Sequence, residues 1–182
     1  MNVAAWLRQQ GASEDIAGWA EPFGDDLSTL WDACPRGDWL LAIAARLGIS
    51  GAPITTAAIE VGRLALEVLP EDDDAHAAFE ALPSASAHAR TAAADALEAR
   101  SDGAPDPALA AALLALSCVA RSFSDPTASS MVAALSTQAL VFDAQACGAM
   151  SVIGWAQSTA ADRVRAAIPL ASVLDAASAQ GA

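Results

Sequence analysis

The chain has 182 residues, 22 of them acidic and 9 basic, for a formal net charge of −13; Lys and Tyr are absent and Ala fills 49 positions. With 54% hydrophobic residues the bulk can bury a core, which excludes a disordered segment, and the acidic balance repels phosphate, which excludes non-specific nucleic-acid binding. Ala is the strongest helix former, and the branched and aromatic residues that favour strands are scattered. The expected fold is therefore all-α: a single Ala-rich bundle of about seven to nine helices spanning residues 1–182.

Breakers divide the chain into helical segments. Residues 3–10 stop at Gly11. Ser13 is placed to cap 14–20, with Glu14 and Asp15 in the first turn and Pro22 just beyond. Asp25 is placed to cap a segment holding Leu27, Leu30 and Trp31. Pro35, Arg36 and Gly37 make a turn, Asp38 caps 39–47, and Gly48 closes it. Residues 54–69 are the clearest amphipathic helix: Glu60, Arg63 and Glu67 share one stripe, and Ile54, Ala58, Val61, Ala65 and Val68 lie opposite. Pro70 ends it. A short helix through Phe79 stops at Pro83. Residues 84–100 put Ser84, His88, Thr91, Asp95 and Glu98 on one polar stripe, and the Ala face opposite is expected to admit a close neighbour.

The second half differs in kind. Residues 1–100 carry 16 acids and 6 Arg, whereas 101–182 carry 6 acids, 3 Arg and no Glu. A loop at 101–107 joins the halves. Residues 109–119 are apolar on every side, as a central helix requires. One helix over 127–155 would run about 45 Å, too long for this domain, so a break is expected between Asp143 and Gly148. A last full helix around Val164 and Ile168 ends at Pro169, with a frayed tail over 176–182. The acidic first half is expected to pack around the apolar helices of 107–169, whose surfaces should be occupied by intramolecular packing.

Residues 2–8 lack the basic start and apolar stretch of a secretory signal, and the longest apolar runs (108–120 and 144–156) fall short of the roughly 20 residues of a membrane span. The expectation is a cytoplasmic protein without membrane contact. Cys34, Cys118 and Cys147 are odd in number and far apart, so they read as reduced thiols, the later two in apolar helices where reactivity falls.

Motifs with chemistry are sparse. The chain has no glycine-rich phosphate loop, no H-E-x-x-H, no C-x-x-C and no G-x-S-x-G. Glu71, Asp72, Asp73 and Asp74 lack the spacing of a calcium loop and read as a solvated run at a helix start. His76 and Glu80 lie one turn apart with no third group, so a surface pair is expected. Arg36-Gly37-Asp38 spells an adhesion tripeptide but reads as a turn and cap. The expectation is a non-enzyme with no catalytic residue, cofactor or metal. Four of the five Trp lie in the first 39 residues; Trp31 and Trp39 are spaced to face inward, while an exposed Trp6 or Trp19 would suit a binding hot spot.

The block from Leu30, Trp31 and Asp32 through Cys34, Pro35, Arg36, Gly37, Asp38 and Trp39, continued by Ala44, Ala45, Arg46, Leu47 and Gly48, resembles the opening signature of a bacterial immunity-protein family, the Imm-5-like proteins of polymorphic toxin systems. Gly62, Arg63, Leu64, Ala65 and Leu66, followed by Leu69, Pro70, Glu71, Asp72 and Asp73, resemble its next block. Ala160 to Pro169, with Arg163 and Arg165, resembles its closing helix, so the resemblance spans about residues 27–169. The tyrosines that many members carry between these blocks have no counterpart here. The resemblance implies a protein that binds and neutralises a cognate toxin by non-catalytic occlusion. The block Trp31, Cys34, Pro35, Arg36, Gly37, Asp38 and Trp39 is expected to be architecture rather than a site, with both Trp largely buried.

The charge then points to a basic partner, such as a nuclease toxin, steered onto the acidic half. The candidate binding residues are Glu14, Asp15, Trp19, Phe23, Asp25 and Asp26 near the early helix starts, with Glu71, Asp72, Asp73 and Asp74 at the later turn. The alternative is a helical interaction or assembly scaffold without a toxin partner, and self-association stays open under either reading.

Overall fold

The computed structural model describes residues 2–69, 72–149 and 152–180. Within them the chain forms eleven α-helices and one 3-10 turn, with no strand among the described residues. The bundle is all-α as expected, with more helices than seven to nine because short segments each form their own. The early ones are α1 (Val3–Gln9), α2 (Glu14–Ala20), the 3-10 turn Glu21–Phe23 and α3 (Leu27–Ala33). Helices of seven residues do not persist alone in water. These persist because Trp6, Leu7, Ile16, Leu27, Leu30 and Trp31 are buried.

Their caps differ in detail from expectation. Asn2 accepts the Ala5 N–H at 2.9 Å and starts α1. Ser13 precedes α2 but makes no side-chain cap bond; its first turn carries Glu14 and Asp15 instead. Asp26, not Asp25, caps α3, accepting the Thr29 N–H at 2.9 Å and its hydroxyl at 2.6 Å. Only the residue directly before the first turn can reach that N–H.

Five helices packed on one another form the body: α4 (Gly37–Arg46), α5 (Ala52–Leu66), α8 (Pro107–Ser122), α9 (Ala128–Ala146) and α10 (Ile153–Ala167). α9 packs on α8, α5, α4 and α10; α5 also touches α8 and α10. Two glycines permit these approaches. A Cβ on Gly37 would lie 2.8 Å from the Ala160 carbonyl carbon, and one on Gly62 would lie 2.6 Å from Val119 Cγ2. α6 (Asp73–Ala81) touches α8, α7 (Ala87–Asp102) lies along it, and α11 (Leu170–Ala179) meets α3.

α5 buries Ile54, Ala58, Val61 and Ala65 with Arg63 and Glu67 exposed, as its periodicity predicts. The break in 127–155 also falls where expected, with Gly148 at φ +79° just past the end of α9. Four expectations need correction. α8 is central but not covered all round: Leu114 and Cys118, one turn apart, stay half-buried because α5, α7 and α9 leave that side open. α7 keeps His88, Thr91 and Asp95 of its polar stripe exposed but is rotated from expectation, burying Ala94, Leu97 and Ser101 while Ala89, Ala92, Ala96 and Ala99 also face solvent. Leu97 is its only large apolar side chain, so it sets the packed face. The tail does not fray from 176, because Pro169 starts α11, which buries Val173 and Ala177; residues 181–182 lie outside the described set. Finally, the second half is not all turned inward. Met131, Ile153, Trp155 and Leu174 are 49%, 55%, 53% and 39% exposed, and all four lie beyond residue 101.

Candidate functional site

The stripe Asp15, Trp19, Phe23 has the i, i+4, i+8 spacing of one helical face, and α2 with its 3-10 extension presents it beside the start of α4. Trp19 is half-buried, with its ring 4.9 Å from Phe23 and 5.4 Å from Trp39. The Arg36 guanidinium lies 4.4 Å over the Trp39 ring and donates to Asp38 at 3.0 and 2.6 Å. Asp38 is the main cause that holds Arg36 protonated beyond its ordinary range; burial opposes it, and the nearby charge of Asp15 adds to it. A continuous ladder thus runs from Phe23 through Trp19 and Trp39 to Arg36, edged by acids. Trp6 is buried and contributes nothing to it.

The acids on this face are in different situations. Arg8 bridges Glu14 at 2.5 Å and Glu21 at 2.6 Å. Its guanidinium holds the Glu14 carboxyl below the usual range and is itself held protonated. Asp26 is lowered chiefly by the Thr29 hydroxyl. The Asp15 and Asp25 side chains are exposed and make no hydrogen bond or ion pair among the described residues. Asp25 and Asp26 also edge a groove of about 400 Å³ against Leu174 and Ala177 of α11.

The second acid group stands apart. Glu71 lies outside the described residues. Asp72 caps α6 through the Ala75 N–H at 3.0 Å and pairs with Arg100 of α7. Burial pushes its carboxyl up, but the N–H and Arg100 outweigh this and leave it lowered. Asp73 and Asp74 are exposed in the first turn. No hydrogen bond or ion pair among the described residues joins this run to the α2 face, so the candidate acids do not form one site.

The architectural motif is only partly inward. Trp31 is 0% exposed and Cys34 is buried, but Trp39 is half-buried. Pro35 is exposed, and Gly37 rather than Asp38 opens α4, because Arg36 takes the cap position and uses Asp38 as its partner. Two arginines of α10 without an assigned role tie it to its neighbours, one to this motif and one to α5. Arg165 of α10 donates to the Trp31 carbonyl at 3.1 Å and to the Cys34 carbonyl. Arg163 donates to the Glu60 carbonyl of α5 at 2.7 Å. The three blocks separated in sequence therefore meet around α10. The available signal was two of the second half's three Arg standing in one helix, two residues apart.

The remaining chemical candidates are placed as follows. Burial pushes the Cys34 thiol up to about 11 and raises Cys118 as well. Cys147 is not in an apolar setting: it is exposed at the end of α9. His76 and Glu80 do not pair. His76 Nε2 lies 2.9 Å from the Leu69 carbonyl oxygen, and Glu80 accepts from Arg63 at 2.8 Å, because α5 offers a cation closer than the next turn of α6. Among the described residues no three His, Cys, Asp or Glu side chains cluster as metal ligands would. No described helix is long and apolar enough to cross a membrane. No family model, curated protein or solved structure matches this chain.

Proposed function

We propose that the chain is an immunity-type protein that captures a basic bacterial toxin and occludes it without catalysis. The observation supporting this most strongly is the convergence of the three Imm-5-like blocks: Arg165 binds the Trp31 and Cys34 carbonyls, and Arg163 binds Glu60 of the helix carrying the middle block. Residues that resemble a family signature in sequence are thus joined by one set of contacts in space. The binding surface in this reading is the α2–α4 face. Its half-exposed Trp19, Phe23 and Trp39 supply rigid aromatic contact area, and Asp15 and Asp25 supply unpaired negative charge.

Co-expression with the product of the adjacent open reading frame tests the proposal. A toxic neighbour, rescued and co-purified in a stoichiometric complex, is the expected result. A harmless neighbour with no complex favours the second reading, an assembly scaffold, for which the exposed Ile153 and Trp155 speak.

A further inference from the structure

We infer, on the reading of the α2–α4 face as the surface that captures a basic partner, that the edge of α2 holding Asp15, Gly18 and Trp19 takes an arginine side chain of that partner. The guanidinium lies against the Trp19 ring and its fork meets the Asp15 carboxylate.

The chain already contains one complete unit of this kind. The Arg36 guanidinium lies 4.4 Å over the Trp39 ring and donates to Asp38 at 3.0 and 2.6 Å. Trp19, 5.4 Å from Trp39, repeats the ring, and Asp15, one turn earlier on the same helix, repeats the carboxylate. Among the described residues no arginine of the chain completes the second unit. Arg8 is engaged by Glu14 and Glu21, and Arg36 by Asp38, while the exposed Asp15 side chain has no ion pair.

Gly18 leaves the room. It is exposed, next to Trp19 and one turn after Asp15. Its φ is not positive, and a Cβ there would meet no atom within 4 Å, so neither the backbone nor packing calls for glycine. Glycine weakens a helix interior relative to Ala, and α2 has only seven residues. What it supplies is bare backbone beside the ring and the carboxylate, where a side chain would crowd an incoming guanidinium. Phe23 and Trp39 meet Trp19 tilted, at 47° and 52°, so neither lies flat on its ring.

Arginine uses both groups where lysine does not. A guanidinium is planar, stacks on an aromatic face and presents a fork to a carboxylate at the same time, whereas an ammonium is a compact, strongly hydrated charge. The exposed Asp73 and Asp74 of α6 have the charge without a Trp or Phe one turn away, and so give a comparison within the same chain.

An NMR titration of the full chain with an acetylated and amidated Gly-Arg-Gly peptide, and with its lysine and citrulline analogues, tests this without any toxin. The expected result is shifts centred on Asp15, Gly18 and the Trp19 indole N–H that saturate at about 1–10 mM peptide. The lysine peptide should bind about threefold more weakly, and the uncharged citrulline peptide should give no response. Gly18→Leu, in open space, should abolish the response with the melting temperature unchanged or raised, and Asp15→Asn should weaken it about threefold. Shifts at α2 no larger than those at Asp73 and Asp74, or a response that survives Gly18→Leu, would overturn the inference. A rescued, co-purified toxin alongside a silent α2 would also overturn it while leaving capture standing. Arginine binding at α2 in a chain whose neighbour is harmless would support the site and remove the capture reading.

Discussion

The α2–α4 face and the α9–α10 face are built from the same Ala-rich chain by opposite means. On the first, aromatic rings are half-buried against each other and against Arg36, and the surrounding acids are either held by Arg8 and helix N–H groups or left free. On the second, Met131, Ile153 and Trp155 stand in solvent beside a groove whose only charged lining is the Arg36–Asp38 pair. Ionic strength separates the two. Capture of a basic partner on the first face should weaken as salt rises, whereas an apolar contact made through the second should not. Burial alone would have ranked them the other way, since the greasier half is the one that leaves its large apolar groups exposed.

The largest expected effect lies beneath the first face. Trp31→Ala removes a side chain that is 0% exposed and should cost about 3–5 kcal/mol in denaturant unfolding. Trp39→Ala should cost clearly less, because its ring is half-buried, and should impair partner capture instead. Equal losses of stability would erase the distinction between architecture and surface within the motif.

Arg165→Met comes next. It leaves the Trp31 and Cys34 carbonyls without their donor and should destabilise by about 1–3 kcal/mol, read by the same unfolding curves. A wild-type midpoint for this variant would detach the closing block from the opening one.

Asp72→Ala removes a helix cap and the partner of Arg100, a loss of about 1 kcal/mol. The carboxyls of Glu14, Asp26 and Asp72 all sit lower in the folded protein than in an unfolded chain. The stability they contribute is therefore complete above the ordinary carboxylate range and is lost as pH falls through their lowered folded values. Thermal melts should hold steady near neutrality and decline below about pH 4, and Asp26→Asn should make that decline shallower. A decline that begins near pH 6 would point to other groups.

The smallest effect sharpens the second face. At pH 8 a thiol-specific reagent should modify Cys147 first, Cys118 slowly and Cys34 only on unfolding, since Cys34 is buried with its thiol raised to about 11. Faster reaction at Cys34 than at Cys147 would contradict the burial pattern.

Helix content, the amphipathic α5 and the break after α9 were legible because Ala propensity, a charged stripe and Gly148 each act locally. Asp26 replaced Asp25 as a cap because capping depends on a one-residue register that composition does not reveal. α7 rotated away from expectation because an Ala face carries little burial energy, and a single Leu97 outweighs it. The stripe Asp15, Trp19, Phe23 was present in the sequence as residues but not as a ladder, since Trp39 and Arg36 join it only through the turn between α3 and α4. Ile153 was invisible for a different reason. Its spacing marks it as core, and only the point where the bundle ends leaves it outside.

The most direct test is the association rate of the chain with the product of the adjacent open reading frame, the partner the proposed function calls for, measured against ionic strength for the wild type, Asp15→Arg and Asp25→Arg. Both acids are exposed and make no ion pair among the described residues, so reversing them leaves folding contacts in place. The account predicts slower association and a flatter salt dependence for each variant, with the melting temperature unchanged for Asp25→Arg and slightly lowered for Asp15→Arg, which reverses a first-turn charge of α2. Rates and salt slopes identical to wild type would place the partner elsewhere and contradict it.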